Sequence, residues 1–224
     1  MSAESFHSYS VPSYLSLDRS GRVVRLDSTS KILAPGLRAG WVTAASQIID
    51  KFQSYQEVSI GAAGGASQLM MWHLLDETWG HQGFISWLVH LSQEYQRRRN
   101  NLLHACDLYL PKDIGRWNPP EYGMFLWIKL DWRQHPLLGG LSASTEEIDS
   151  CICELESRIA AKALENGVLV TKGSLFSFNK KPNGELHFRL TFAAALEEDL
   201  NEGVRLFANT LREEFSLQSI SKAN

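Results

Sequence analysis

Several things are scarce in this 224-residue chain, and each scarcity excludes a class of protein. Cysteine occurs three times, at 106, 151 and 153. That spacing forms neither a disulfide framework nor a metal site, and the thiols are expected to be reduced, as in the cytosol. Cys151 and Cys153 stand two apart on an expected helix and so point to different faces. The seven histidines also lack metal-ligand spacing, so no metal is expected. No apolar run approaches the ~20 residues needed to span a bilayer. Neither sign of charge dominates, and the net charge of −3 leaves no footprint for nucleic acid or a membrane surface. The first residues lack a basic and then apolar leader, and arginine is missing from the first eighteen. No secretory or transit signal is therefore expected, and the cytoplasm is the expected location.

What remains is a globular composition, 44% hydrophobic and 21% charged, in a chain long enough to bury a sizeable core. Residues 1–20 are Ser-rich and patternless, and read as a loosely held arm. Residues 21–26 and 40–44 read as short strands, the second of them buried, separated by a break at Pro35-Gly36. Helices are expected over 46–56 and about 65–77, with Gly61, Gly64 and Gly65 marking the turn between them. From Gly83 a long amphipathic helix carries Phe84, Trp87, Leu88, Leu91, Tyr95 and Leu102 at helical spacing. Arg97, Arg98 and Arg99 interrupt it, either as a solvated face or as a contact with a partner subunit.

Pro119-Pro120 precede an apolar run, 122–132, that suits a buried strand. Ser144 and Glu147 form a capping box ahead of the stripe Ile148, Ile152, Leu155 and Ile159, and Asn166-Gly167 stops that helix. Strands are expected near 168–171 and 186–193. A last helix carries Leu196, Leu200, Val204, Phe207 and Leu211 on one face, acidic at its start and basic later, as the helix dipole prefers. The alternation of strands and helices argues for an α/β or α+β fold.

The most informative stretch runs Ser28-Thr29-Ser30-Lys31-Ile32-Leu33-Ala34-Pro35-Gly36-Leu37-Arg38-Ala39-Gly40. It places hydroxyls, an amine and a guanidinium at the end of a strand. An amine forms an imine with an aldehyde, and hydroxyls with a bidentate arginine suit a phosphate. The same composition also fits a plain polar turn with Lys31 and Arg38 facing solvent. Arg189 has two readings as well. Alternation puts Leu186, Phe188, Leu190 and Phe192 on one face and leaves His187, Arg189 and Thr191 on the other, where an arginine is either solvated or bound to an anion.

Ser-x-Ser-Lys followed by Pro-Gly-x-Arg-x-Gly resembles the cofactor-lysine segment of class I/II aminotransferases. Val11-Pro12-Ser13-Tyr14-Leu15-Ser16-Leu17-Asp18 before it and Gly40-Trp41-Val42-Thr43-Ala44 after it are similar to the aromatic amino acid and 2-aminoadipate (kynurenine-type) branch. Glu57-Val58-Ser59, Ser67-Gln68, Trp79-Gly80, Gly83-Phe84, Gly123-Met124-Phe125-Leu126-Trp127, Gly167-Val168-Leu169-Val170 and His187-Phe188-Arg189-Leu190-Thr191-Phe192 follow in order. The resemblance covers roughly residues 11–215.

The resemblance implies a fold-type-I α/β architecture: a partial large domain over 1–80 and a complete, small α+β C-terminal domain over 81–224. It implies pyridoxal 5'-phosphate as cofactor, held through a Schiff base to Lys31, which would also shuttle the substrate proton. It assigns Ser28, Ser30 and Arg38 to the cofactor phosphate and Arg189 to the substrate α-carboxylate. Met124 and Phe125 fall near the substrate side chain. The implied reaction is ping-pong transamination of an aromatic amino acid or 2-aminoadipate with a 2-oxo acid, in a homodimer.

The chain departs from that pattern at Thr171-Lys172-Gly173, where many relatives have Pro-Gly. It also lacks the upstream carboxylate, stacking ring and phosphate turn. Asp18 and Glu4 are the acidic residues before the lysine segment's own strand, and Tyr9 and Tyr14 stand in the wrong context to stack. A catalytically inactive aminotransferase-like fragment, acting if at all as an interaction module, is therefore the alternative. With so much of the large domain absent, residues 1–80 are expected to expose apolar surface and sheet edges and to be the less stable part.

Overall fold

The computed structural model describes residues 11–140 and 142–217; Glu4 and Tyr9 lie outside them. The chain divides into two compact units, Met1–Gln93 and Glu94–Asn224.

In the first unit, Ser13 caps a single helical turn, α1 (Tyr14–Leu17), by accepting from the Leu15 amide. Residues 11–20 are thus partly helical rather than patternless. The Asp18 carboxylate then accepts from the Ser20 amide at 3.0 Å and the Val23 amide at 2.8 Å. That turn takes up amides that a strand from residue 21 would use, so β1 starts later, at Arg25–Ser28. It pairs antiparallel with β2 (Gly40–Thr43), Ser28 opposite Gly40 and Asp27 opposite Trp41. The expectation that 40–44 is buried fails. Trp41 is 50% exposed on a ribbon of only two strands, in a unit with too few buried residues to form a layer over it.

Two helices follow, α2 (Ser46–Ser59) and α3 (Gly65–Trp72). The pattern expected to run on to 77 instead widens into a π-helical turn over His73–Thr78. Gly80 closes it at φ +59°, a left-handed conformation that glycine adopts without penalty. The long helix α4 (Gly80–Tyr109) therefore begins three residues before Gly83. Only Thr29, Ala39 and Ile85 are buried among the described residues of the first unit. Tyr55, Val58, Leu69 and Trp72 are all more than half exposed, as the sequence leads one to expect for a unit with so small a core.

The second unit is built differently. A four-stranded antiparallel sheet, order β3-β4-β6-β5, comprises β3 (Gly115–Trp117), β4 (Phe125–Leu130), β5 (Thr171–Lys172) and β6 (Leu186–Thr191). Between β4 and β5 runs α5 (Thr145–Glu165), and α6 (Glu197–Glu214) follows β6. Leu126, Ile128 and Leu130 on β4 and Leu186 and Phe188 on β6 are each at most 1% exposed. Alternation along the two strands puts these side chains on one face. Ile152, Leu155, Ile159 and Ala163 of α5 and Val204, Phe207 and Leu211 of α6 complete the core with them. Their i, i+3, i+4 spacing turns one stripe of each helix inward.

The Ser144/Glu147 capping box forms as expected, and Gly167 stops α5 at φ +90°. Leu196 does not join the α6 stripe. It is the residue before the first turn and is 70% exposed. The strand expected over 168–171 shrinks to Thr171–Lys172, and β3 carries no alternation long enough to predict. Arg97–Arg99 is not a merely solvated face. Arg97 pairs with Glu94 at 3.0 Å and with Glu197, Arg98 donates to the Ala195 carbonyl at 2.8 Å, and Arg99 donates to the Pro120 carbonyl at 3.2 Å. Arg98 and Arg99 thus tie loops to α4, and Arg97 links α4 to the first turn of α6. Among the described residues no helix is long and apolar enough to cross a membrane.

The contrast between the units makes a prediction. Phe188→Ala, which empties a fully buried site, should cost about 3–5 kcal/mol in urea unfolding followed by circular dichroism. Trp41→Ala, on the exposed ribbon, should cost less than about 1 kcal/mol.

Candidate active site

Ser28, Ser30, Lys31 and Arg38 lie together on the short excursion that joins β1 to β2. Two single-turn 3-10 helices, Thr29–Lys31 and Pro35–Leu37, pack against each other there. Ser28 caps the first: its Oγ accepts from the Ser30 amide at 3.2 Å and donates to Ser30 Oγ at 3.0 Å. The two hydroxyls therefore sit side by side. The Leu33 amide reaches back to the Thr29 carbonyl at 2.8 Å, which closes the turn around Lys31. Both the serine pair and Lys31 are solvent-accessible.

What holds the excursion is Thr29, 2% exposed. Its amide and its Oγ1 both donate to the Ala39 carbonyl, at 3.1 and 2.9 Å. Next to this pair, Gly40 passes so close to β1 that an added Cβ would stand 2.5 Å from the Asp27 carbonyl oxygen. Any side chain at 40 would push the strands apart. Arg38 precedes this contact in the left-handed region, φ +47°. Its Nη1 donates to the Pro35 carbonyl at 3.2 Å, which leaves the rest of the guanidinium fork for an anion. Behind the second turn, an apolar cavity of about 500 Å³ is lined by Leu33, Leu37, Met70, Leu74, Trp79 and Trp87. The Trp87 indole donates to the Ile32 carbonyl at 2.6 Å and stacks on Trp79. Sequence reading treated Trp87 only as core and gave Thr29 no role. Nothing in a Ser-Thr-Ser-Lys string distinguishes the buried hydroxyl from its exposed neighbours.

Asp18, the acidic candidate upstream of the lysine, is committed elsewhere. The backbone N–H groups of its own turn, Val23 and then Ser20, hold its carboxyl below the usual range.

In the second unit Arg189 lies on β6 opposite Trp127 of β4 and Thr171 of β5. Its guanidinium carbon sits 4.0 Å from the ring centre of Phe125 and 4.0 Å from that of Phe176. The charge is sandwiched, with cation–π contact on both faces, and the N–H edge is what remains for a ligand. Among the described residues no carboxylate pairs with it. Arg189, Phe125 and Thr171 line a cavity of about 200 Å³ with Thr191 and Asp199. Met124 contributes its backbone: its carbonyl accepts from the Phe192 amide and from Thr191 Oγ1, both at 3.3 Å. His187, beside Trp127, is held below the ordinary imidazole value by burial. Phe176 escaped the sequence reading because it stands in a loop without periodicity.

Thr171-Lys172-Gly173 resolves in physical terms. Lys172 lies opposite Phe188, and its ammonium donates to Ser157 Oγ on α5 at 3.2 Å. Gly173 is required, since a Cβ there would stand 2.6 Å from His187 Cβ and 2.7 Å from the His187 carbonyl oxygen.

Comparison with known proteins finds one family throughout. The family pattern described as aminotransferase class I and II matches residues 2–207. Aminotransferase swnA of Arthroderma benhamiae is 44% identical over 204 residues, covering 91% of this chain and 40% of that protein. Aromatic amino acid aminotransferase C56E4.03 of Schizosaccharomyces pombe is 38% identical, covering 95% and 43%. The crystal structure of aminotransferase Aro8 from Candida albicans superposes with a TM-score of 0.84 at 34% identity, covering 97% of this chain and 45% of that one. The chain thus spans less than half the length of the relatives it matches.

Gly40→Ala tests the close approach. Overpacking of this kind costs about 1–3 kcal/mol, so hydrogen exchange at the Thr29 amide should speed up by about fivefold or more. The β4–β6 ladder should be unaffected.

Proposed function

The chain belongs to the class I and II aminotransferase family, and on that premise we propose that it serves pyridoxal 5'-phosphate-dependent transamination. The amino donor is an aromatic amino acid or 2-aminoadipate and the acceptor a 2-oxo acid. The observation that carries this reading is the excursion between β1 and β2. One buried hydrogen-bond pair, Thr29 to Ala39, sets two adjacent hydroxyls, an arginine fork and a lysine on about ten residues.

That donor set fits the cofactor. Ser28 and Ser30 offer rotatable hydroxyls and Arg38 a fixed charge with a planar fork, which together match a phosphate dianion. The cofactor, when bound, supplies an aldehyde and an electron sink. Lys31 Nζ is the nucleophile toward that aldehyde and, when released, the base that moves the proton at the substrate α-carbon.

Arg189 holds the substrate α-carboxylate. With Phe125 and Phe176 over its two faces, a carboxylate meets the guanidinium in its plane, the bidentate geometry. Phe125 lines the cavity beside Arg189 and would meet the substrate side chain, which suits an aromatic donor. Met124 packs its side chain against the core and takes part through its carbonyl, which accepts from Thr191 Oγ1. The homodimer follows from the family's habit of sharing residues between protomers. The cysteines, all free, support a reducing compartment such as the cytoplasm.

The test is covalent trapping. The purified chain, incubated with pyridoxal 5'-phosphate and then sodium borohydride, should carry a phosphopyridoxyl group on Lys31 by peptide mass mapping. Lys31→Ala should lose that label without gaining another. Label scattered over surface lysines, or none, would overturn the reading and favour the inactive alternative. Trapping at Lys31 would make assays with aromatic and 2-aminoadipate donors the next step.

A further inference from the structure

We propose that Glu156 is a positioning residue for Arg189, acting through the 3-10 turn Gly173–Phe176. The proposal rests on the reading of Arg189 as the group that takes the substrate carboxylate.

Glu156 is 1% exposed on the inner stripe of α5, where a carboxylate is costly unless fully bonded. Both of its oxygens are used on one residue. Oε1 accepts from the Ser174 amide at 3.0 Å, and Oε2 accepts from Ser174 Oγ. The bonded residue is the second of the turn Gly173–Phe176. Two positions further on, Phe176 lays its ring over Arg189 at 4.0 Å and meets Trp127 edge-on at 5.5 Å.

Phe176 needs such an anchor. It is 48% exposed, so its own burial does not fix it. Upstream, the turn is held to β6 by the two-residue strand Thr171–Lys172 and by the contact of Gly173 against His187. Downstream, the Ser177 amide closes back to the Ser174 carbonyl at 3.2 Å. Ser174 therefore takes part in both the Glu156 bond and the closure of the turn that presents the ring. The carboxylate of Glu156 faces the turn and not the ligand cavity, so its role is indirect: it keeps one face of Arg189 covered and the N–H edge open.

Arginine-selective labelling with phenylglyoxal, followed by peptide mass mapping, reads this directly and needs no turnover. In the native chain Arg189 should react slowly. Phe176→Ala should speed it up and sets the scale for an uncovered guanidinium. Glu156→Ala should raise the Arg189 rate toward that scale, about tenfold, because both bonds to Ser174 are lost. Glu156→Gln should return it to near the native rate, since an amide still accepts from the Ser174 amide and donates to Ser174 Oγ. Should Glu156→Ala also speed up the partly buried Arg98 and the buried Arg212, it has loosened the whole unit. Ser174→Ala then decides, and acceleration confined to Arg189 supports the proposal. An unchanged Arg189 rate in Glu156→Ala or, in that case, in Ser174→Ala overturns it. Protection of Arg189 by an added aromatic 2-oxo acid reports the carboxylate reading separately. If protection is absent while the labelling series behaves as expected, that reading fails and the positioning role stands.

Discussion

The contact that the candidate cofactor site depends on is the near-touch of two short strands at Gly40. With no Cβ there, β2 lies against the Asp27 carbonyl, and Thr29 places its amide and hydroxyl on the Ala39 carbonyl. A buried bond of this kind contributes little net stability, about 1 kcal/mol, but it decides geometry. It fixes the two ends of a loop that carries Ser28, Ser30, Lys31 and Arg38, so the four groups arrive together without a large core beneath them. That matters because the first unit has almost no core: three buried residues among those described.

The second unit places its key group by another route. Arg189 is held by a packed sheet, with Phe188 beside it fully buried and Trp127 and Thr171 opposite it on either side. Strand alternation alone directs the guanidinium away from the core. The rings of Phe125 and Phe176 then narrow its approaches. One ring comes from β4 and one from a loop, so the first is as rigid as the sheet and the second only as rigid as its tether to α5. Placing a charge on a strand and its cover on a loop separates precision from access.

Much of this was legible in the sequence where one rule acts alone. The capping box at Ser144, the stop at Gly167 and the inward stripes of α5 and α6 follow from local chemistry and spacing. The segment around Lys31 that resembles a cofactor-lysine segment was legible as an ordered string. What was not legible required tertiary information. The Asp18 turn delayed β1 by using amides that a propensity argument assigns to a strand. Trp41 looked like core and is exposed, because burial depends on what packs over the sheet face. Arg97–Arg99 read as a solvated face or a partner contact and instead bonds to Glu197, Ala195 and Pro120, acceptors too distant in sequence for local pattern to reveal. Phe176 and Thr29 carry no periodic signal at all; their roles come from which partner the fold brings near.

The central claim is that the excursion between β1 and β2 is built to take a phosphate, and selectivity between two aldehydes tests it most directly. Binding of pyridoxal 5'-phosphate and of pyridoxal to the native chain would be compared by absorbance titration. Because two hydroxyls and an arginine act on the phosphate alone, the phosphorylated aldehyde should bind about tenfold or more tightly, and Arg38→Ala should remove most of that difference. Equal affinity for the two aldehydes, with Arg38→Ala silent, would contradict the account and leave the segment a polar turn.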